Sequence, residues 1–151
     1  MTDPIVATAI AYVRSELGAT RIAAPGYCFG GRYTFRALAD GGGVDVGYAA
    51  HPSLLVRSEI AAIDGPVSVA AGEWDVLFGP AARAEAEAEL AVGSQAYQVN
   101  LYGGTQHGFA VRADLNNEEQ RWAKEQAFLQ AVGWFDRFLS RRRGDSGLFG
   151  G

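Results

Sequence analysis

The chain has 151 residues, 48% of them hydrophobic and 20% charged, with a formal net charge of -4. That length suits one globular domain with a real core and leaves little room for a second, and the acidic balance argues against nucleic acid, which needs a basic face. No apolar run approaches membrane-spanning length, and a single cysteine with no basic leader ahead of it points to a reducing, cytoplasmic setting.

Ile5, Val6, Ala9, Ile10, Tyr12, Val13 and Leu17 recur at helical spacing after Pro4, a favoured first-turn residue, and Gly18 is a natural stop, so the spacing predicts an opening helix. Residues 21–27 read as a short buried strand, and Phe29 to Ala39 as a helix leaving it directly. Pro25 lacks a donor, so it belongs where the ladder ends or where no neighbour needs its N–H. Gly41-Gly42-Gly43 breaks the chain before a second strand, 44–50, which runs into His51-Pro52-Ser53; a short helix near Leu55 to Ile60 follows. Residues 66–72 form a third strand closed by Glu73-Trp74-Asp75, and Ala81 to Val92 is a helix rich in alanine and glutamate, both strong helix formers.

The fourth strand, 96–102, ends in Gly103-Gly104-Thr105-Gln106-His107-Gly108-Phe109. A long amphipathic helix from Asn117 to Arg142 carries Trp122, Phe128, Leu129, Val132, Trp134, Phe135, Phe138 and Leu139 as its apolar residues. Arg141-Arg142-Arg143 at its end suits the negative pole of the helix dipole. Residues 1–143 are expected to form a single domain and 144–151 a flexible tail.

Strands alternating with helices predict an α/β fold, a three-layer α/β/α arrangement with a mostly parallel sheet. Loops at the carboxyl ends of parallel strands share one edge, the usual active-site rim, and Cys28, His51, Asp75 and His107 all fall there. Gly26-Tyr27-Cys28-Phe29-Gly30-Gly31 has the form of a nucleophile elbow: flanking glycines clear space around a strained strand-to-helix turn whose apex side chain points into a cleft. A thiol is only partly ionised near neutrality, so it needs a helix amino terminus or an imidazole beside it. The imidazole in turn needs a carboxylate on its other nitrogen.

His107 and Asp75 fit those roles in the chain order nucleophile, acid, base, and the N–H of Phe29 is positioned as an oxyanion donor. Glu73 competes with Asp75 for the acid, and either could instead cap the turn ahead of Val76. His51 suits substrate contact or a loop hydrogen bond; Arg32 and Arg112 suit an anionic substrate or ordinary ion pairing. A zinc site built from Cys28, His51, Asp75 and His107 lacks close metal-ligand spacing, and no metal or other cofactor is expected. A lone cysteine between small residues also fits an inert core thiol.

With those residues in place, the chain resembles the dienelactone hydrolase family of α/β-hydrolases. The likeness runs through the elbow, Ala50-His51-Pro52-Ser53, the Asp75 loop, Gly104-Thr105-Gln106-His107-Gly108-Phe109-Ala110-Val111-Arg112 and Lys124-Glu125-Gln126-Ala127-Phe128. It implies a cysteine hydrolase of lactones or carboxylic esters, with Cys28 as nucleophile, His107 as base and Asp75 as its orienting acid; His51 and Arg112 stand as the candidate substrate contacts from their own positions, and no cofactor is expected. The His-Pro-Ser and His-Gly-Phe-Ala-Val-Arg segments look closer to the branch common in fungi and some bacteria than to the chlorocatechol-pathway enzymes. In those enzymes a substrate-binding arginine lies four residues after the histidine, where this chain has Val111.

The resemblance also implies that this chain corresponds to the carboxy-terminal portion of the fold, since family members carry further strands, and a second oxyanion donor, ahead of the elbow strand. The first strand is then expected to have an open apolar edge, which invites self-association. Two rivals to the hydrolase remain: a non-catalytic, partner-dependent module of the same fold, and a thiol redox sensor at Cys28.

Overall fold

Four short strands, β1 (Ala23–Tyr27), β2 (Val46–Ala50), β3 (Val67–Gly72) and β4 (Tyr97–Tyr102), lie in the order β1-β2-β3-β4, and every neighbouring pair is parallel. The computed structural model describes residues 2–140, so Arg141-Arg142-Arg143 and the 144–151 tail lie outside the described residues. Helix α1 (Thr2–Ser15) precedes the sheet, and α2 (Phe29–Leu38), α3 (Arg57–Ala61) and α4 (Pro80–Val92) connect its strands. After β4 come α5 (Phe109–Arg112) and α6 (Glu118–Leu139). The single turn α5 has no counterpart among the expected elements, because four residues are too few for a hydrophobic period to register.

Alternation along the strands divides the core into two layers. Ala49, Val67, Val69 and Ala71 join Phe35, Leu38, Ile60, Ala86 and Leu90 on the face covered by α2, α3 and α4. Tyr48, Ala50 and Ala70 turn the other way, toward α5 and α6. This is the three-layer α/β/α arrangement, with β2 and β3 buried along their whole length.

The long helix α6 meets the sheet mainly through small residues, with Trp134 the one large apolar residue it buries. Its buried residues are Ala123, Ala127, Ala131 and Trp134, spaced by four, four and three, while Trp122, Phe128, Leu129 and Val132 are exposed. Alanine brings the helix axis close enough for the Tyr48 hydroxyl to donate to the Ala127 carbonyl at 2.8 Å. Gln130 bridges the same interface, donating to Ser68 Oγ at 2.8 Å and accepting from the Tyr102 hydroxyl at 2.7 Å. Bulky side chains at those positions would hold the helix off and break these bonds.

β1 is an edge strand. The Ile22 carbonyl accepts from Val46 and the Cys28 N–H donates to Ala50, so even-numbered residues face β2 while Ala23, Pro25 and Tyr27 turn their backbone groups to the open side. Pro25 therefore stands where no donor is required, as expected. The amino end of the strand is stapled by Asp45, which accepts the Ile22 N–H at 2.9 Å and pairs with Arg14 at 2.7 Å.

His51, just after β2, is buried at an energetic cost. It is 1% exposed, neither ring nitrogen has a hydrogen-bond partner among the described residues, and its φ of 38° is left-handed. Burial, reinforced by the neighbouring His107, pushes its pKa down to about 4 from the usual 6.5. The folded protein thus keeps His51 neutral in a pH range where the unfolded chain protonates it, and stability attributable to this residue falls as pH drops from about 6.5 toward about 4. Chemical denaturation of the parent and His51→Phe at pH about 7 and about 5 is expected to show the parent losing on the order of 2 kcal/mol more than the variant. Parallel losses in the two proteins would refute this assignment.

Candidate active site

The site begins with a backbone constraint. Cys28 links β1 to α2 with φ 54° and ψ -121°, and its N–H continues the ladder by donating to Ala50 at 3.1 Å. Glycine is needed on both sides for steric reasons. A Cβ on Gly26 would collide with Thr34 Oγ1 and the Gly30 carbonyl, and one on Gly31 would lie 2.8 Å from Pro52 Cβ. Gly30 meets nothing and leaves open space beside the apex.

From this turn a hydrogen-bonded line runs through three side chains. His107 Nε2 lies 2.9 Å from Cys28 Sγ, and Nδ1 lies 3.0 and 2.9 Å from the two carboxylate oxygens of Asp75. Asp75 is 2% exposed, and its Oδ1 also accepts the N–H groups of Leu77 and Phe78 at 2.8 and 3.1 Å. The capping role and the histidine contact are therefore served by the same carboxylate. Glu73, the competing acid, is exposed and accepts the Gly104 N–H at 2.8 Å, so it braces the His107 loop instead of the ring. Further bonds stitch the two loops together, Glu73 N–H to Tyr102 and Trp74 N–H to Thr105, at 3.0 and 2.9 Å.

The proton balance follows from these contacts. Burial opposes charge on Cys28, but hydrogen bonds from His107, Ser53 and the Phe29 N–H outweigh it and hold the thiol below its ordinary value. Burial likewise opposes charge on His107, and the contacts to Cys28 and Asp75 overcome it and raise the imidazole. Both shifts favour a thiolate beside an imidazolium. The three groups lie in sequence, each bonded to the next, not around a common centre as ligands of one ion would.

The remaining candidates separate. His51, expected at the substrate, is instead packed behind His107, ring centroids 5.1 Å apart and edge-on, with both nitrogens closed off from solvent. A strand-end position specifies the rim but not the depth of the side chain, and Tyr27 and Phe109 also pack on this ring. Arg32 is committed to a two-pronged pair with Glu59, both contacts 2.8 Å, which leaves it with the ordinary ion-pair role. Arg112 is exposed and packs over Gly108, its N–H donating to the Gly108 carbonyl at 2.8 Å, while its guanidinium makes no ion pair or hydrogen bond among the described residues. Ser53, not singled out from the sequence, is 4% exposed with its hydroxyl 3.7 Å from Cys28 Sγ. The only sequence signal for it was its place in the segment after β2.

Comparison with known proteins gives a consistent assignment. The model of the dienelactone hydrolase family matches residues 2–139. The hydrolase pyvD of Aspergillus violaceofuscus is 46% identical over 140 residues, 93% of this chain and 57% of that protein. The hydrolase tropI of Talaromyces stipitatus is 44% identical over 140 residues, 93% of this chain and 55% of that protein. The chain thus spans a little over half the length of these relatives. Among solved structures, a dienelactone hydrolase-like promiscuous phosphotriesterase from metagenomic libraries superposes with a TM-score of 0.70 at 19% identity, covering 86% of this chain and 58% of that one, which speaks to the fold alone. By the family match across nearly its whole length, and by these relatives, the chain belongs to the dienelactone hydrolase family.

Proposed function

We propose that the protein hydrolyses a lactone or carboxylic ester through a thioester on Cys28. What carries this reading is the unbroken line Asp75–His107–Cys28, with contacts of 2.9 to 3.0 Å at both imidazole nitrogens. Sγ gives its proton to His107 Nε2, and the thiolate attacks the substrate carbonyl carbon. The tetrahedral oxyanion forms beside the Phe29 N–H, the backbone donor that directly follows the nucleophile at the start of α2. Collapse breaks the carbon–oxygen bond, and the His107 imidazolium protonates the departing alkoxide. A water then gives its proton to His107 and attacks the thioester, which releases the acid and restores the thiolate. Asp75 fixes the tautomer that leaves Nε2 facing the sulfur and stabilises the charged ring.

Arg112 supplies the polar contact of this reading. It is an exposed cation without a partner among the described residues, set one short turn beyond His107, and it suits a carboxylate on the substrate. A second reading, a partner-dependent module, draws support from the open edge of β1 and from the exposed apolar residues beside it, Tyr27, Leu115, Phe128 and Leu129.

Three measurements test these statements. Turnover of p-nitrophenyl acetate is expected to vanish in Cys28→Ala and to fall about a hundredfold or more in Asp75→Asn; undiminished turnover without the thiol would remove Cys28 from the mechanism. Arg112→Gln is expected to raise KM for an ester bearing a carboxylate while leaving a neutral ester unchanged, and equal effects on both substrates would count against the anion contact. Light scattering with activity across a dilution series separates the two readings. A fully active monomer eliminates the partner-dependent module, whereas activity lost on dilution together with a falling mass supports it.

A further inference from the structure

We propose that Ser53 is a positioning residue for the Cys28 thiolate, donating its hydroxyl hydrogen to Sγ beside the His107 contact. The inference rests on the reading of Cys28 as nucleophile and adds to it a third element, the loop after β2. Ser53 is 4% exposed, its Oγ is 3.7 Å from Sγ, and the sulfur is the one hydrogen-bond partner of that hydroxyl among the described residues. A buried hydroxyl must donate somewhere. A thiolate accepts such a donor far better than a thiol does.

The loop is built to hold that contact. The Ser53 N–H donates to the Cys28 carbonyl at 3.1 Å, and the His51 N–H donates to the Ala70 carbonyl at 2.7 Å, so both sides of Pro52 are tied to the sheet and elbow. Pro52 packs into the space left by the missing side chain of Gly31, at the first turn of α2. His51 and Leu54, with φ of 38° and 57°, turn the chain sharply on either side of Pro52-Ser53. Two left-handed non-glycine residues bracketing two positions are an unfavourable backbone, retained here where the loop meets the nucleophile.

The chemistry is simple in its balance. The proton of Sγ moves to His107 Nε2 while Ser53 keeps its own, and the resulting thiolate accepts from the imidazolium, the Phe29 N–H and the Ser53 hydroxyl. In the thioester the sulfur no longer bears charge and the Ser53 bond weakens. Ser53 therefore acts on the free thiolate, so its loss changes how reactivity depends on pH.

The test is the pH dependence of Cys28 alkylation by iodoacetamide in the full chain, in Ser53→Ala and in Ser53→Thr. For Ser53→Ala the midpoint is expected to move up by about one pH unit, a roughly tenfold slower reaction at pH about 6, with the high-pH plateau unchanged. Ser53→Thr, which keeps the hydroxyl, should follow the parent profile. A lowered midpoint shared by the parent and Ser53→Ala would overturn the role of Ser53 and leave Cys28 as nucleophile. An ordinary thiol midpoint in the parent itself would overturn both readings. Ser53→Gly, a second removal of the hydroxyl, decides the matter if the alanine variant loses the circular-dichroism spectrum of the parent.

Discussion

The chain passes from β1 into α2 through a single residue, Cys28, held at a left-handed φ of 54°. A non-glycine residue there lies uphill by on the order of 1–3 kcal/mol, so it persists only because its surroundings over-determine it. Gly26 lets Thr34 and Gly30 close over the end of the strand, Gly31 admits Pro52, and backbone bonds to Ala50 and from Ser53 hold the two sides of the turn. The same contacts aim the thiol away from the core and toward the loops that follow β3 and β4. Backbone strain at the apex and the position of the sulfur are thus one arrangement.

What the sheet contributes is convergence. Each parallel strand adds one loop at the same edge, and the loops after β3 and β4 are joined by three bonds involving Glu73, Trp74, Tyr102, Gly104 and Thr105. Asp75 and His107 are consequently set against each other by backbone before their side chains meet. Behind them, the alanine face of α6 lets that helix lie close to β2 and β3, with Tyr48 and Gln130 bonding across the gap. The imidazole itself is held by its contacts at both nitrogens.

Much of this was legible in the sequence because glycine and proline punctuate it so plainly. Gly18, Gly41-Gly42-Gly43 and the Gly103-Gly104 pair bound strands and helices whose hydrophobic periods are clear, and Cys28, Asp75 and His107 stand out as reactive side chains at strand ends. Depth was not legible. His51 shares the strand-end position of the others, yet it is buried, because its neighbours Tyr27 and Phe109 cover it from distant parts of the chain. The packing face of α6 was hidden for a related reason: hydropathy ranks Phe128 and Leu129 above Ala127 and Ala131, whereas the sheet selects the small residues by closeness. Ser53 carried no spacing signal, since its contact depends on two left-handed residues that no side-chain pattern announces.

The two histidines show how the fold distributes charge around the sulfur. Their rings are 5.1 Å apart and edge-on, yet their pKa values move in opposite directions, His51 down to about 4 and His107 upward. Burial disfavours the cation on both. On His107 the contacts to Asp75 on one nitrogen and the sulfur on the other outweigh burial, whereas for His51, whose ring nitrogens have no hydrogen-bond partner among the described residues, burial prevails over the nearby charge of Asp75. In the proposed mechanism the proton of Sγ passes to His107, and the neighbouring ring, kept neutral, adds no repulsion to the imidazolium. Pairs of titratable groups driven apart by their environments are a mark of acid–base sites. Here the separation rests on a buried ring that touches neither the sulfur nor the solvent, so the wall behind His107 belongs to the electrostatics of the site as fully as the residues in its line.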